Sequence, residues 1–289
     1  MLWELFVVSG LAVGAVYAMS GVGMVLLYRA TGVLNFAHGA IGAIGALLTW
    51  QVVQWGWPAP LGWAAAIGIA MAVSVGYGWY LAPALAFREP VVKAVATLGL
   101  ALIVLGLLNW LWPQNPRRLS LPSDGLGFEL LGMRITGTRL LALGTAVATT
   151  LGISALLSFT RLGLSMRALA NNRDLSRLLG LRVRRVEASA WLISGALCGI
   201  SGLLLGNLVR LDAGVLTFLV IPAMAAAVIG RLSSLGGTLA GGLAIGVIES
   251  LGTLAGPWAP YRSATPFIVA VVVILFLQRK RRLTFAGQD

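Results

Sequence analysis

The sequence predicts an all-α polytopic membrane protein, on three observations: an apolar composition, apolar runs of spanning length, and no alternation within those runs. Of 289 residues, 58% are hydrophobic and 10% charged, where a soluble domain carries about 25% charged residues. A helix crossing the hydrocarbon needs about 20 apolar residues. About nine such segments are found, near 5–27, 37–55, 61–86, 91–111, 139–159, 188–208, 214–230, 234–255 and 264–278. Backbone in lipid must satisfy its own hydrogen bonds, which makes these segments helices. Runs such as Phe267 to Leu277 do not alternate apolar with polar residues, which argues against a membrane barrel. Segments 214–230 and 234–255 are rich in Gly and Ala and the first is short, so either is open to being re-entrant or broken. The expectation is therefore about 8–9 transmembrane or partly re-entrant helices in one domain covering 1–289.

Charge sets the orientation. With the N-terminus outside and all nine segments crossing, the inner side receives Arg29, Arg88, Lys93, seven arginines between Arg161 and Glu187, Arg231, and the tail Arg279-Lys280-Arg281-Arg282. The outer side receives Arg117, Arg118, Arg134, Arg139, Arg210 and Arg262, which leaves 15 basic residues inside and 6 outside. The reverse orientation breaks the positive-inside rule. Trp55, Trp57, Trp63, Trp110, Trp112 and Trp258 all fall near one expected interface, where indole rings favour the headgroup level. The net charge of +12 thus reads as an orientation signal, and no nucleic acid is expected as a partner. No cleavable leader is expected either, since Met1-Leu2-Trp3-Glu4 lacks a basic n-region.

The 37 glycines sit inside apolar runs, where small residues let helix backbones approach. Gly10–Gly14, Gly195–Gly199, Gly237–Gly241 and Gly242–Gly246 are each four apart and read as packing faces. Gly32, Leu34, Asn35 and Gly39 also share the spacing of Gly230, Leu232, Ser233 and Gly237, a faint sign of an internal repeat. Cys198 has no second cysteine to pair with.

Two loops are long. The outer one, 112–138, holds Pro113, Pro116, Pro122 and the turn Ser123-Asp124-Gly125, and its stretch Phe128 to Thr136 suits a small hairpin or an irregular cap. The inner one, 160–187, is basic and helical in pattern from Met166 to Gly180. Leu175, Leu178 and Leu179 share one helical face, and Gly180 makes a stop. A short helix with an apolar ridge and basic flanks suits docking into a partner's groove; it equally suits lying at lipid headgroups. A third charged feature is the basic tail, 279–289.

Three further places carry candidate chemistry. Asn35, Phe36, His38 and Gly39 stand at the start of the second segment, with Asn35 placed to cap it. A helix start at membrane depth presents free N–H groups to carboxylates; the plain alternative is a capped start with a satisfied histidine. Glu249 lies inside an apolar segment, which costs about 2.5–3.5 kcal/mol on insertion scales. It faces either a partner or path, or water at the outer interface. Gly199-Ile200-Ser201-Gly202 has the look of the nucleophile motif of rhomboid proteases. A serine nucleophile needs a base, and His38, the one histidine, precedes the serine where rhomboids place it after. No metal-ligand cluster and no Walker A motif is found, so no enzyme activity and no P-loop nucleotide site is expected.

Gly14-Ala15-Val16-Tyr17-Ala18 leading to Asn35-Phe36-Ala37-His38-Gly39, the stretch Arg167 to Gly180 with Val183, Ser194-Gly195 and Gly199 to Gly202, and Ala227 to Gly230 through Leu235-Gly236-Gly237 to Glu249 together resemble the permease subunits of bacterial ABC importers for branched-chain amino acids, in their shorter form. The likeness spans nearly the whole chain, least in the outer loop. It implies a multi-pass inner-membrane subunit without a cofactor of its own. Its implied partners are a second permease subunit (a longer paralogue), two cytoplasmic ATPases that bind ATP, and a periplasmic substrate-binding protein. Under the resemblance, Arg167, Ala170, Asn172, Asp174, Leu175, Leu178, Leu179 and Gly180 belong to the ATPase-coupling loop, which favours docking over lipid. Asn171-Asn172 departs from the family, where relatives often carry an acidic residue. Branched-chain amino acids are the implied substrates, with urea or short amides, or a stand-alone secondary carrier, as the alternatives.

Overall fold

The computed structural model describes residues 2–113, 117–130, 133–254 and 264–278. In chain order the elements are α1 (Leu2–Thr31), α2 (His38–Gln54), α3 (Ala59–Gly76) with a π-helical turn (Tyr77–Leu81), α4 (Pro90–Leu111), β1 (Gly127–Leu130), β2 (Met133–Thr136), α5 (Gly137–Phe159), α6 (Arg161–Asn171), α7 (Arg173–Leu178), α8 (Val183–Leu208), α9 (Ala213–Phe218), α10 (Val220–Ile229), α11 (Leu235–Gly252) and α12 (Thr265–Gln278). Trp258, Arg262 and the tail 279–289 lie outside the described residues.

The apolar runs do form helices, but their lengths differ from expectation. Among the described residues six are long and apolar enough to cross a membrane: α1, α3 with its π turn, α4, α5, α8 and α11. α2 has 17 residues and α12 has 14. The segment 214–230 is broken at Leu219 into α9 and α10. An expected eight or nine is reached only when α2, α12 and the α9–α10 pair are counted too. The run 61–86 stops being α-helical at Gly76, because Trp191 of α8 packs on Gly78 and against the Tyr77 ring, with ring centroids 4.9 Å apart. The helix widens there, and the Ala82 N–H reaches back to the Tyr77 carbonyl at 2.9 Å.

α1 and α8 form the centre. Their apolar windows are 61% and 67% buried, against 22% for α3 and α4. α1 packs on α11, α8, α5 and α10, and α8 on α2 and α3. The glycine pairs explain how. A Cβ at Gly10 would lie 2.6 Å from the Gly246 carbonyl oxygen, and one at Gly14 would lie 2.6 Å from that of Gly242. Gly195 and Gly199 meet the Ala70 and Ala66 carbonyls of α3 in the same way, and Gly202 lies directly on Gly42. Lipid supplies no hydrophobic drive between helices, so such backbone contact is what holds them together. Gly237–Gly241 does something else. Gly237 adjoins the Ser234 cap, whose hydroxyl accepts from the Gly237 N–H at 3.0 Å, and Gly241 meets Ile229.

The repeat-like spacing does not carry a repeated backbone. Gly32 is left-handed at φ 69°, whereas in the second copy Arg231 and Leu232 take that conformation, at 56° and 53°. Two consecutive left-handed side-chain-bearing residues strain the α10–α11 turn.

The hairpin expected near Phe128 to Thr136 forms. β1 and β2 are antiparallel, with Gly127 opposite Thr136 and Leu130 opposite Met133. The loop before it is fastened to α8 through Asn207, whose Nδ2 donates to the Leu119 carbonyl and to Asp124 Oδ2, both at 2.7 Å. This loop, Gln51 near the end of α2 and Asn207 near the end of α8 occupy one end of the bundle. Arg29, Lys93, the α6–α7 region and Glu187 gather at the other. Arg29, Lys93 and Arg173 thus sit at one end and Arg117, Arg118, Arg139 and Arg210 at the other.

Replacing Gly14 by Leu is expected to lower the thermal midpoint by about 5 °C or more, because α1 must separate from α11. Gly144, which has open space around it, takes Leu without such a loss. Fluorescence-detected size exclusion after a heat ramp reads both.

Candidate functional site

The inner loop folds as two helices rather than the single one its pattern suggested. Thr160 caps α6, its hydroxyl accepting from the Gly163 N–H at 3.0 Å. α6 ends at Asn171, and Asn172 turns the chain and caps α7, its Oδ1 accepting from the Leu175 N–H at 2.9 Å. A strong N-capping residue inside a helical pattern starts a new helix there. α7 closes on Gly180 at φ 82°, with Leu181 N–H bonded to the Ser176 carbonyl and Gly180 N–H to that of Arg177. The expected stop is thus a Schellman turn that needs glycine.

α6 is amphipathic in fact. Gly163, Met166 and Leu169 are buried against the bundle, while Arg167 and Ala170 face out. On α7 and its end, Asn172, Asp174, Leu175, Leu178, Leu179 and Gly180 are all exposed. Leu178 is 85% and Leu179 75% exposed. Large apolar side chains held this far out, between Arg177 and Arg182, form a ridge with none of the described residues upon it.

A feature that sequence reasoning missed fixes that ridge. The Arg173 guanidinium pairs with Glu187 at the start of α8, Nη1 to Oε1 at 2.5 Å and Nη2 to Oε2 at 3.2 Å. The Glu187 side chain is 8% exposed. Among the described residues this is the one carboxylate–guanidinium ion pair. Ser176, also buried, donates to the Asn172 carbonyl at 2.7 Å. A glutamate near the start of a helix, 14 residues after an arginine, was the available signal.

The Asn35–Gly39 segment is buried in the chain. Asn35 and His38 are 1% and 2% exposed. Asn35 does not cap α2 in the expected manner. Its Oδ1 accepts from the Ala37 N–H at 3.0 Å, an Asx turn one step ahead of the helix, and Ala37 occupies the cap position without a side-chain bond. Thr97 of α4, also missed, clamps the segment: its Oγ1 donates to the Leu34 carbonyl at 2.9 Å and accepts from the Phe36 N–H at 3.1 Å. His38 Nδ1 lies 3.1 Å from Cys198 Sγ. Gly39 touches the Leu216 and Thr217 carbonyls of α9, a contact that excludes any side chain.

Ser201 and His38 do border one small cavity of about 10 Å³. Ser201 Oγ, however, donates to the Cys198 carbonyl at 3.0 Å and His38 turns to Cys198. The arrangement is not a serine–histidine pair, and the space is no larger than one water.

Glu249 is half-buried on α11, next to Ser250, whose hydroxyl donates to the Phe6 carbonyl of α1 at 2.6 Å. His38 instead lies against Gly23 of α1, about 25 Å further along that helix at about 1.5 Å per residue. The structure therefore separates Glu249 from the Asn35–Gly39 segment.

Known proteins place these features in context. Residues 6–277 match the family described as branched-chain amino acid transport system / permease component. The chain is similar to the high-affinity branched-chain amino acid transport system permease protein LivH of Escherichia coli (strain K12), with 25% identity across 93% of this chain and 92% of the relative. The corresponding protein BraD of Pseudomonas aeruginosa is 26% identical over the same shares. A probable branched-chain amino acid transport permease protein LivH of Methanocaldococcus jannaschii is 27% identical over 79% of this chain and 74% of the relative.

Removing the charge in Glu187→Gln leaves the Arg173 guanidinium half-buried and unpaired. The expected cost is about 2 kcal/mol, and the open population of α7 rises about thirtyfold. Limited trypsin cleavage at Arg177 reads the opening; Asp174→Asn, at an exposed position, leaves the rate nearly unchanged.

Proposed function

This chain belongs to the branched-chain amino acid transport permease family, and from that premise we propose that it is the membrane-spanning permease subunit of an ATP-driven importer for branched-chain or related amino acids. The multi-pass chain sits in the inner membrane with its N-terminus outside and α6–α7 in the cytoplasm. It works with a second permease subunit, two cytoplasmic ATPases and an external binding protein. The observation that carries the reading is the exposed ridge Leu175–Leu178–Leu179, held on α7 by the Arg173–Glu187 pair. In a chain without a nucleotide motif, an apolar ridge between basic flanks is a handle for an energy-supplying partner.

The mechanism is alternating access. Closure of the two ATPases moves α6 and α7; Arg173 passes the displacement to Glu187 and so to α8. The glycine contacts of α8 with α2 and α3 leave no slack, so α8 carries those helices with it. The substrate is held weakly in transit, and discrimination among side chains is left to the binding protein.

The test is uptake by the assembled complex in proteoliposomes. Leucine is expected to accumulate only with ATP and all partners present. Leu178→Ala with Leu179→Ala lowers uptake at least about tenfold at unchanged insertion, since two central apolar anchors are lost. Normal ATP-driven uptake by that variant removes α7 from coupling. Accumulation by this chain alone, without ATPases, establishes a stand-alone carrier instead.

The Asn35–Gly39 segment enters as the joint that sets α2 against α4 and α9 beside the path. Asn35→Ala and His38→Ala are each expected to slow uptake severalfold while the complex still assembles. Unchanged kinetics in both variants take the segment out of the mechanism.

A further inference from the structure

At the end opposite α7, four arginines gather round one cavity of about 700 Å³: Arg117, Arg118, Arg139 and Arg210. They come from three distant parts of the chain: the loop after α4, the first turn of α5, and the link between α8 and α9. Asp124 is the one acidic residue lining the cavity. Its carboxylate is already engaged by neutral donors, the Leu121 N–H at 2.9 Å, Asn207 Nδ2 at 2.7 Å and Thr138 Oγ1 at 2.5 Å. None of these hydrogen bonds comes from the four guanidinium groups. Arg117 is held in place, donating to the Pro113 carbonyl at 3.0 Å and lying 4.9 Å over the Trp50 ring.

Two arguments give this cluster a purpose. Under the proposed orientation these arginines stand on the side that the positive-inside rule depletes of them, yet they converge on a single cavity. Four like charges against one carboxylate around a concave, partly low-dielectric site repel one another and are relieved by an anion. Guanidinium forks bind carboxylates two oxygens at a time, so a planar carboxylate is the anion they fit best. The volume lies within the range of about 300–1,000 Å³ common for small-molecule sites.

We infer that this cavity is a carboxylate subsite at the outer mouth of the permease, which receives the α-carboxylate of the amino acid and disfavours neutral amides and urea. The inference rests on the permease reading and names its substrate class. An uncharged solute gains nothing from the arginines, whereas an amino acid gains charge-assisted hydrogen bonds.

The experiment uses the purified full chain in nanodiscs of zwitterionic lipid, so that no anionic headgroup competes. Saturation-transfer NMR at low salt measures binding of L-leucine, of 4-methylpentanoate, which keeps the carboxylate and lacks the ammonium, and of L-leucinamide, which lacks the carboxylate. Leucine and 4-methylpentanoate are expected to bind saturably, and leucinamide about tenfold more weakly or less. Arg139→Gln with Arg210→Gln weakens leucine binding about tenfold. Arg118→Gln, at an exposed position, gives a smaller loss in the same direction should the double variant be unstable. Equal binding of leucine and leucinamide, no saturable leucine binding, or wild-type binding by the stable variants overturns the subsite. So does a result in which the small carboxylates do not bind but the double variant lowers the affinity of the whole complex for its binding protein, since the cavity is then a protein-docking surface. ATP-driven uptake by the wild-type complex is measured alongside. Amino-acid uptake without carboxylate preference removes the subsite and leaves the permease reading. Carboxylate binding without amino-acid uptake does the reverse.

Discussion

Backbone contact between α1 and α11 underlies much of the architecture. Gly10 and Gly14 face the carbonyls of Gly246 and Gly242 so closely that no Cβ fits on either side. In water, two apolar helices associate because burial removes them from solvent. In lipid that gain is absent, and what remains is dispersion between closely fitted surfaces. The same device recurs where α8 meets α3 through Gly195 and Gly199, and where it meets α2 through Gly202 and Gly42. The centre is therefore a set of backbones in contact. Such a centre deforms little, and displacements at one end of a helix are carried along it.

α8 is the element through which the two ends communicate. Near its start Glu187 is paired to Arg173 beneath the exposed ridge, and near its end Asn207 holds the loop before β1 through Leu119 and Asp124. From one contact to the other it runs about 30 Å at 1.5 Å per residue. Under the proposed coupling, a shift imposed on α7 reaches the arginine-lined cavity along one rod. The buried Asn35–Gly39 joint lies part-way along, beside Cys198 of the same helix.

Much of this was legible in the sequence, and the rest was hidden for physical reasons. Apolar runs located the helices, because hydropathy reports burial in lipid directly. The four-residue glycine spacings marked most of the close faces, and Gly180 marked the end of α7. Three things escaped. The split of the inner loop depends on whether the Asn172 side chain caps a new helix or leaves the old one running, a choice between two local hydrogen bonds of similar strength. The π turn at Tyr77 is imposed by Trp191, more than a hundred positions away. The Arg173–Glu187 pair, the Thr97 clamp and the four-arginine cavity join residues that share no period; only the fold brings Arg117 and Arg210 together. The number of spans is not written in hydropathy for a related reason: a helix of 14 or 17 residues crosses or stops short according to its neighbours and tilt.

The exposed apolar surfaces do not all mean the same thing, and their neighbours separate them. α4 shows Val91, Val95, Leu102, Ile103 and Trp110 to the outside, but it is a continuous apolar helix of spanning length with few charges on it. Hydrocarbon covers such a face at no cost. Leu178 and Leu179 are comparably exposed, yet they sit on a single polar turn among Arg177, Arg182, Arg184 and Arg185, beyond the end of any spanning helix. Hydrocarbon does not reach them without dehydrating those arginines. Water leaves their apolar area uncovered. A protein groove with acidic or polar edges satisfies both the leucines and the arginines. That asymmetry between two exposed faces, one suited to lipid and one suited to neither lipid nor water, is the physical ground for treating the chain as one part of a larger machine.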